Sequence, residues 1–230
     1  MTQGLIQGRE AFLGRLAAKL GREPKQQVDK PVFDHHPQWE VYKQKSQDDL
    51  LAIFKEACQK TQTTVVETTV AALPQTLRDL IRDFGGGPLV ATKDSRFETF
   101  GLQTMLEEER ATIWDPAEGH DNIETGKWAN VGLSFSDMAL AESGTTVFFH
   151  NKQKARSVNL LPTTSIVIVT KDSLVPRLSQ ATKKIGNRIK QGEKVESYIN
   201  LISGPSNSAD IELNLVIGVH GPTKLGYIIV

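Results

Sequence analysis

Residues 63–92 read TTVVETTVAALPQTLRDLIRDFGGGPLVAT, and three changes of character within that stretch decide the fold. Thr63 to Thr69 is dominated by β-branched residues, which suit the pleated surface of a strand. Leu73 to Phe84 switches to helical spacing, with Pro74 in the first turn and the run Gly85-Gly86-Gly87 as the stop. Pro88 to Thr92 is again strand-like. A strand, a helix and a strand in close succession make a βαβ unit, whose two strands must lie parallel.

Working outward, the same alternation continues. Ala111–Asp115, Thr145–Phe149, Ser165–Thr170, Tyr198–Ser203, Leu213–Val219 and Gly226–Val230 read as strands, with a long helix from about Leu174 to Lys190. On the N-terminal side, Ser46 with Asp48 and Asp49 forms a capping box that starts a helix running to about Lys60. Before it, Ile6, Phe12, Leu13, Leu16 and Leu20 recur at helical spacing between Leu5 and Leu20, with Gly21 placed as a left-handed cap. Arg22 to Pro37 has the composition of a surface linker. The expectation is an α/β domain over 46–230 with a mainly parallel sheet flanked by helices, preceded by a helical extension over 1–45.

Charge and composition narrow the function classes. The 230 residues carry 27 basic and 27 acidic side chains, so no net field gathers the chain onto a nucleic-acid backbone or an anionic membrane. No window approaches the roughly 20 consecutive apolar residues of a spanning helix. Arg9, Glu10, Arg15 and Lys19 interrupt the start in a way that a signal peptide would not, which points to the cytoplasm. Cys58 is the only cysteine, at an apolar helical position among Leu50, Leu51, Phe54 and Ala57. One thiol makes no internal disulfide and falls short of the thiolates that hold an iron–sulfur cluster, and Gly-x-Gly-x-x-Gly is missing too. No cofactor is therefore expected in this chain.

Three segments set Gly and small polar residues beside strands, where backbone amides can approach a ligand. The first is Ala141-Glu142-Ser143-Gly144-Thr145-Thr146; the second, Gly204-Pro205-Ser206-Asn207-Ser208-Ala209-Asp210-Ile211-Glu212; the third, Gly218-Val219-His220-Gly221-Pro222. Candidate ligand contacts are Glu142, Ser143, Gly144, Thr145, Gly204, Pro205, Ser206, Ser208, Asp210, His220 and Gly221. Each has a structural alternative: a Gly-Pro-Ser turn is commonly only a turn, acidic Asp210 and Glu212 can cap free N–H groups, and His220 can be a hydrogen-bonded structural histidine. Glu142, Ser206, Asp210 and His220 are expected to converge in one pocket at the carboxyl edge of the sheet. Lys152, Lys154 and Arg156 form a basic group that serves either as a solvated face or as an anchor for a substrate carboxylate or phosphate. Asp115, His120 and Asp121 could suggest metal ligands around Pro116 and Gly119, but a mixed Asp and His loop is common without metal; His35, His36 and His150 add no recognisable spacing, and no metal is expected.

Taken together with Ala139-Leu140-Ala141-Glu142-Ser143-Gly144-Thr145, Arg156 and Leu160-Leu161-Pro162, these loops resemble the lactate utilization protein C family and its LUD domain. The N-terminal helix and Pro37-Gln38-Trp39-Glu40 resemble the longer bacillus-type members. A departure lies at Asn207-Ser208, where relatives usually have Arg-Thr, so no arginine is expected to reach a ligand from that turn. The resemblance implies a fold like that of the ribose-phosphate isomerase, glucosamine-phosphate deaminase and CoA-transferase group. It also implies a place in a three-protein system that oxidises L-lactate to pyruvate, as the cluster-free accessory or substrate-handling subunit beside two iron–sulfur partner proteins. In CoA-transferase-like relatives a glutamate in a similar loop is a covalent nucleophile, which makes Glu142 a catalytic candidate and a free-standing enzyme of that group the alternative. A scaffold that tethers partners through its N-terminal helix is the third reading.

Overall fold

A computed structural model describes residues 6–24, 31–196 and 198–230. Residue 5, where the sequence starts its first helix, and residues 25–30 of the expected linker lie outside the described residues. The chain divides into two units, Met1–His36 and Pro37–Val230. In the first, helix α1 spans Arg9–Lys19, and Gly21 takes the left-handed conformation (φ 62°) foreseen for it.

The second unit begins with the short helix α2 (Pro37–Glu40) and then α3 (Gln47–Lys60). Ser46 caps α3 as the sequence predicts: its hydroxyl accepts from the Asp49 N–H while the Asp49 carboxylate accepts from the Ser46 N–H. Strand β1 (Thr64–Glu67), helix α4 (Leu73–Asp83) and strand β2 (Leu89–Ala91) form the foreseen βαβ unit. Helices α5 (Arg96–Thr99) and α6 (Gln103–Glu108), strand β3 (Thr112–Ile113) and helix α7 (Asp121–Trp128) lead to β4 (Val131–Phe135). Strands β5 (Met138–Leu140) and β6 (Thr145–His150), helix α8 (Ser157–Leu160), strands β7 (Thr164–Val169) and β8 (Leu174–Val175), helix α9 (Leu178–Lys190) and β9 (Tyr198–Ser203) follow. A hairpin of β10 (Asn207–Ile211) and β11 (Asn214–Ile217) precedes the last strand, β12 (Lys224–Ile229).

Six strands form the main sheet in the order β1-β12-β7-β4-β2-β3, parallel throughout. Alternation along β7 shows why its run is apolar on both faces. Ile166 and Ile168 point into a core with Leu73, Leu77 and Leu80 of α4 and Phe97 and Met105 of the following helices. Val167 and Val169 point the other way, into a core with Phe54 of α3, Phe148 of β6 and Tyr227 of β12. The parallel α/β architecture is thus as foreseen from residues 63–92.

A second sheet, β8-β5-β6-β9, covers that other face together with α3, and it contains the antiparallel pairs β5–β6 and β6–β9. Its outer surface is closed by α9, whose Ala181 and Ile185 pack on Met138, Val147 and Phe149. The expected helix from Leu174 is in fact β8 followed by α9, because Pro176 cannot supply the amide needed inside a helix. The layer between the two sheets positions everything that follows.

Candidate functional site

The turn between β5 and β6 carries Glu142, Ser143 and Gly144. Gly144 has φ +60°, and a Cβ there would lie 3.0 Å from both the backbone nitrogen and the sulfur of Cys58, so only glycine lets the turn rest on α3. Tyr227, fully buried, ties this turn to the end of β9: its hydroxyl is 3.1 Å from the Ile202 carbonyl and 3.3 Å from that of Gly144. The Thr145 hydroxyl is hydrogen-bonded to those of Ser143 and Ser203. Glu142 itself turns outward and pairs with Arg177 Nε at 2.7 Å, which in turn raises the Arg177 guanidinium above its ordinary range. Burial pushes the Cys58 thiol up to about 12, so it stays protonated and inert at neutral pH.

The Gly204-Pro205-Ser206 and His220-Gly221-Pro222 segments meet beside this turn. The Ser206 N–H donates to the Pro222 carbonyl (2.9 Å), and the Thr223 N–H to the Thr163 carbonyl (2.8 Å), which docks both loops on the start of β7. Gly204 has φ +77°, and a Cβ there would come within 2.7 Å of the Thr61 carbonyl. Together these segments enclose a cavity of about 200 Å³ whose walls include Asn159, Leu160, Ser165, Ile202, Pro205, Ser206, His220, Pro222 and Leu225. No lysine, arginine, aspartate or glutamate is among the residues lining it. Asn159 and Ser165 are 2% and 1% exposed, and neither the Asn159 amide atoms nor the Ser165 hydroxyl has a hydrogen-bond partner among the described residues.

The cavity corrects the expected convergence in two respects. Ser206 and His220 do come together, with Gly204, Pro205 and Gly221, but Glu142 is held by Arg177 outside the lining. Asp210 lies exposed on the β10–β11 hairpin, where its carboxylate accepts from the Ser208 hydroxyl at 2.7 Å. The location differs too: Ser165 and Leu225 are the second residues of β7 and β12, so the cavity opens at the amino ends of the parallel strands rather than the carboxyl edge. The second sheet is the reason, since the loops after β9 and before β12 return to that end.

The carboxyl edge holds another constellation. β2 continues outward to β3, whereas β4 continues through the second sheet to β7, so the gap between β2 and β4 is the point where the winding reverses. Arg96 spans that gap. Its guanidinium grips Asp94 through two bonds (2.6 and 2.9 Å), reaches the carbonyl of Ser136 (2.6 Å) and pairs with Asp137 (3.2 Å). Lys154 adds a bond to Asp137 at 3.1 Å, and the other Asp137 oxygen accepts from the Phe149 N–H at 2.7 Å. Burial opposes the charge on Asp94, but the Arg96 bonds and the nearby Lys154 outweigh it and hold the carboxyl below its usual range. Two cations and two anions satisfy one another, so Lys154, from the basic group noted in the sequence, already has its counter-ions. Arg156 packs over the Tyr198 ring and bonds its hydroxyl (3.1 Å). A wider depression of about 440 Å³ lies alongside Asp94, and its Lys93 is paired with Asp115. Asp115 also caps the turn at Ala117, and among the described residues no three metal-ligating side chains cluster.

Between the two ends runs a line of buried polar groups. A small enclosed cavity of about 10 Å³, room for one water, is lined by Thr92, Ser134, His150, Lys154 and Asn159 among others. His150 Nδ1 is 2.9 Å from the Lys154 carbonyl, which can only accept, so Nδ1 carries the proton and Nε2 is a bare acceptor without a partner. Burial lowers the His150 pKa and keeps the ring neutral. Asn159 lines both cavities and so joins the two ends. Ser134, Asn159 and Ser165 escape a sequence reading because each is a common small polar residue; the available signal was their placement inside otherwise apolar strands and turns.

Comparison with known proteins bears on the whole chain. Residues 40–230 match the LUD domain family. The chain is 46% identical over 237 aligned positions to "Lactate utilization protein C" of Bacillus subtilis, covering 100% of this chain and 99% of that protein. Identity to the proteins of the same name is 45% in Geobacillus thermodenitrificans and 44% in Macrococcus caseolyticus, again over 100% of this chain and 99% of each relative. A crystal structure of a DUF162 family protein from Deinococcus radiodurans superposes with a TM-score of 0.56 at 20% identity, over 80% of this chain and 98% of that one. That likeness speaks to the fold alone.

Proposed function

The chain belongs to the LUD domain family, within its lactate utilization protein C group, and from that premise we propose that it is a component of a bacterial system for using L-lactate. The observation that carries the reading is identity of 44–46% running end to end through relatives of that name, loops and extension included. In this reading the chain is the cluster-free, cytoplasmic subunit that works beside two iron–sulfur proteins in oxidising L-lactate to pyruvate. Its single buried thiol, raised to about 12, suits a subunit whose redox centres lie in its partners. The uncharged cavity at the amino ends of β7 and β12 is its small-molecule site, because buried polar groups without partners are where binding capacity is left over.

Deletion of the gene is expected to abolish growth on L-lactate as sole carbon source and to leave growth on pyruvate intact. Equal growth of the deletion strain on both would remove the protein from lactate oxidation. Reconstitution of lactate oxidation from three purified proteins, omitting each in turn, then tests the partnership. No observation favours a free-standing CoA-transferase-like enzyme: Glu142, its candidate nucleophile, is ion-paired with Arg177 and is not among the residues lining the cavity.

A further inference from the structure

We propose that the cavity at the amino ends of β7 and β12 takes an uncharged single ring that presents a hydrogen-bond donor and an acceptor side by side, as a nucleobase edge or a nicotinamide carboxamide does. Charge is the first argument. With no Lys, Arg, Asp or Glu in the lining, and with His220 exposed at the mouth, an anion entering the buried part would give up its hydration without a counter-ion beside it. A lactate carboxylate is poorly matched to such walls.

Hydrogen bonding is the second argument. Asn159 is 2% exposed, and both its amide nitrogen and its amide oxygen lack partners. A side-chain amide offers one donor and one acceptor in a fixed fork, which is complementary to a ligand edge carrying the reverse pair. Ser165, 1% exposed and equally unpartnered, also lines the cavity and offers a hydroxyl for a third contact. A ligand that pairs with these groups satisfies donors and acceptors that otherwise lie buried without partners.

Shape is the third. Leu160, Pro205, Pro222 and Leu225 give apolar walls, and about 200 Å³ falls below the roughly 300–1,000 Å³ of sites that enclose a whole drug-sized ligand. One ring fits, with its substituents outside. Ser206 is half-buried and His220 exposed, so the mouth they form is where a sugar or chain attached to the ring reaches solvent.

This inference uses the site assigned above but not its link to lactate, and the two fail separately. The test is thermal melting of the full chain with cytidine, nicotinamide, L-lactate or pyruvate. At a hundredfold excess over Kd, cytidine or nicotinamide is expected to raise Tm by about 5–10 °C, while the two acids leave it unchanged. Asn159→Leu should abolish the shift, and Ser165→Ala, which keeps the amide fork, should weaken calorimetrically measured binding about tenfold. Absence of a shift with both ring compounds overturns the proposal, as does a shift that survives Asn159→Leu or one produced by lactate alone. Should Asn159→Leu fail to fold, Ser165→Ala decides: unchanged affinity in that variant counts against the proposal.

Discussion

The two ends of the layer between the sheets solve opposite problems. At the carboxyl edge Asp94, Arg96, Asp137 and Lys154 are charged, close and mutually satisfied. At the amino ends Asn159, Ser165, Ser206 and His220 are mostly uncharged, and the two most buried of them have no partner. Open α/β sheets bind ligands at the carboxyl edge as a rule, and a residue census alone would place the site at the charged end. Accounting for partners reverses that choice: the charges of the ion cluster are already paired with one another, whereas the orphaned amide has no partner. The charged end acts as a clamp across the gap between β2 and β4, and the uncharged end is open for recognition.

The largest effect should come from breaking the clamp. Arg96→Ala leaves Asp94, whose side chain is 6% exposed, without its main partner and removes one contact of Asp137, and a stability loss of about 3 kcal/mol is expected in urea unfolding. In the intact protein the contribution of Asp94 has a defined pH window. Its carboxyl is held below the ordinary aspartate value of 3.8, so the stabilisation is complete above that pH and is lost as pH falls below it. Arg96→Ala should flatten this acid limb; an unchanged limb would mean that the pairing contributes nothing.

A smaller pH effect belongs to the junction between the ends. His150 is neutral when folded, with its pKa lowered from 6.5 by burial, so below about pH 6.5 the unfolded chain takes up a proton that the folded chain refuses. Stability should therefore decline as pH drops from 6.5, well before the Asp94 window, and His150→Gln should remove that decline. A pH profile of urea midpoints for both proteins reads this directly.

At the uncharged end the same kind of substitution should cost little. Asn159→Leu exchanges an unpartnered buried amide for an apolar group of similar size, and a change within about 1 kcal/mol of wild type is expected, in either direction. A loss as large as that of Arg96→Ala would show that the amide is structural. Least of all should follow from Glu142→Gln, because its ion pair with Arg177 is 40% exposed on the carboxylate side; about 0.5 kcal/mol is the expected scale, with lactate-dependent growth unchanged.

How much of this the sequence discloses depends on the distance over which a signal acts. Local signals held: the Ser46 capping box, α4 between Pro74 and the glycine run, and β9, whose bounds Tyr198 and Ser203 match the reading from composition. Strand β4 was not legible, although it is central, because Gly132 and Ser134 interrupt its apolar pattern; the structure explains them, as α8 packs on Gly132 and Ser134 faces the small cavity. The loops around Gly204 and His220 were readable from their Gly and Pro content. Their neighbours Glu142 and Asp210 were misplaced, since nothing local says that a second sheet turns Glu142 outward or that residues 207–217 form a hairpin. The clamp joins residues more than 40 positions apart, Arg96 to Asp137, and such pairing leaves no mark in a single sequence.

The central claim is that the uncharged cavity is the working site of a lactate utilization component, and one growth experiment tests it most directly. A strain lacking the gene is complemented with the Asn159→Leu chain, shown to melt within a few degrees of wild type, and grown on L-lactate and on pyruvate. The account predicts normal growth on pyruvate and little or none on L-lactate. Full growth on L-lactate with the folded variant would contradict it.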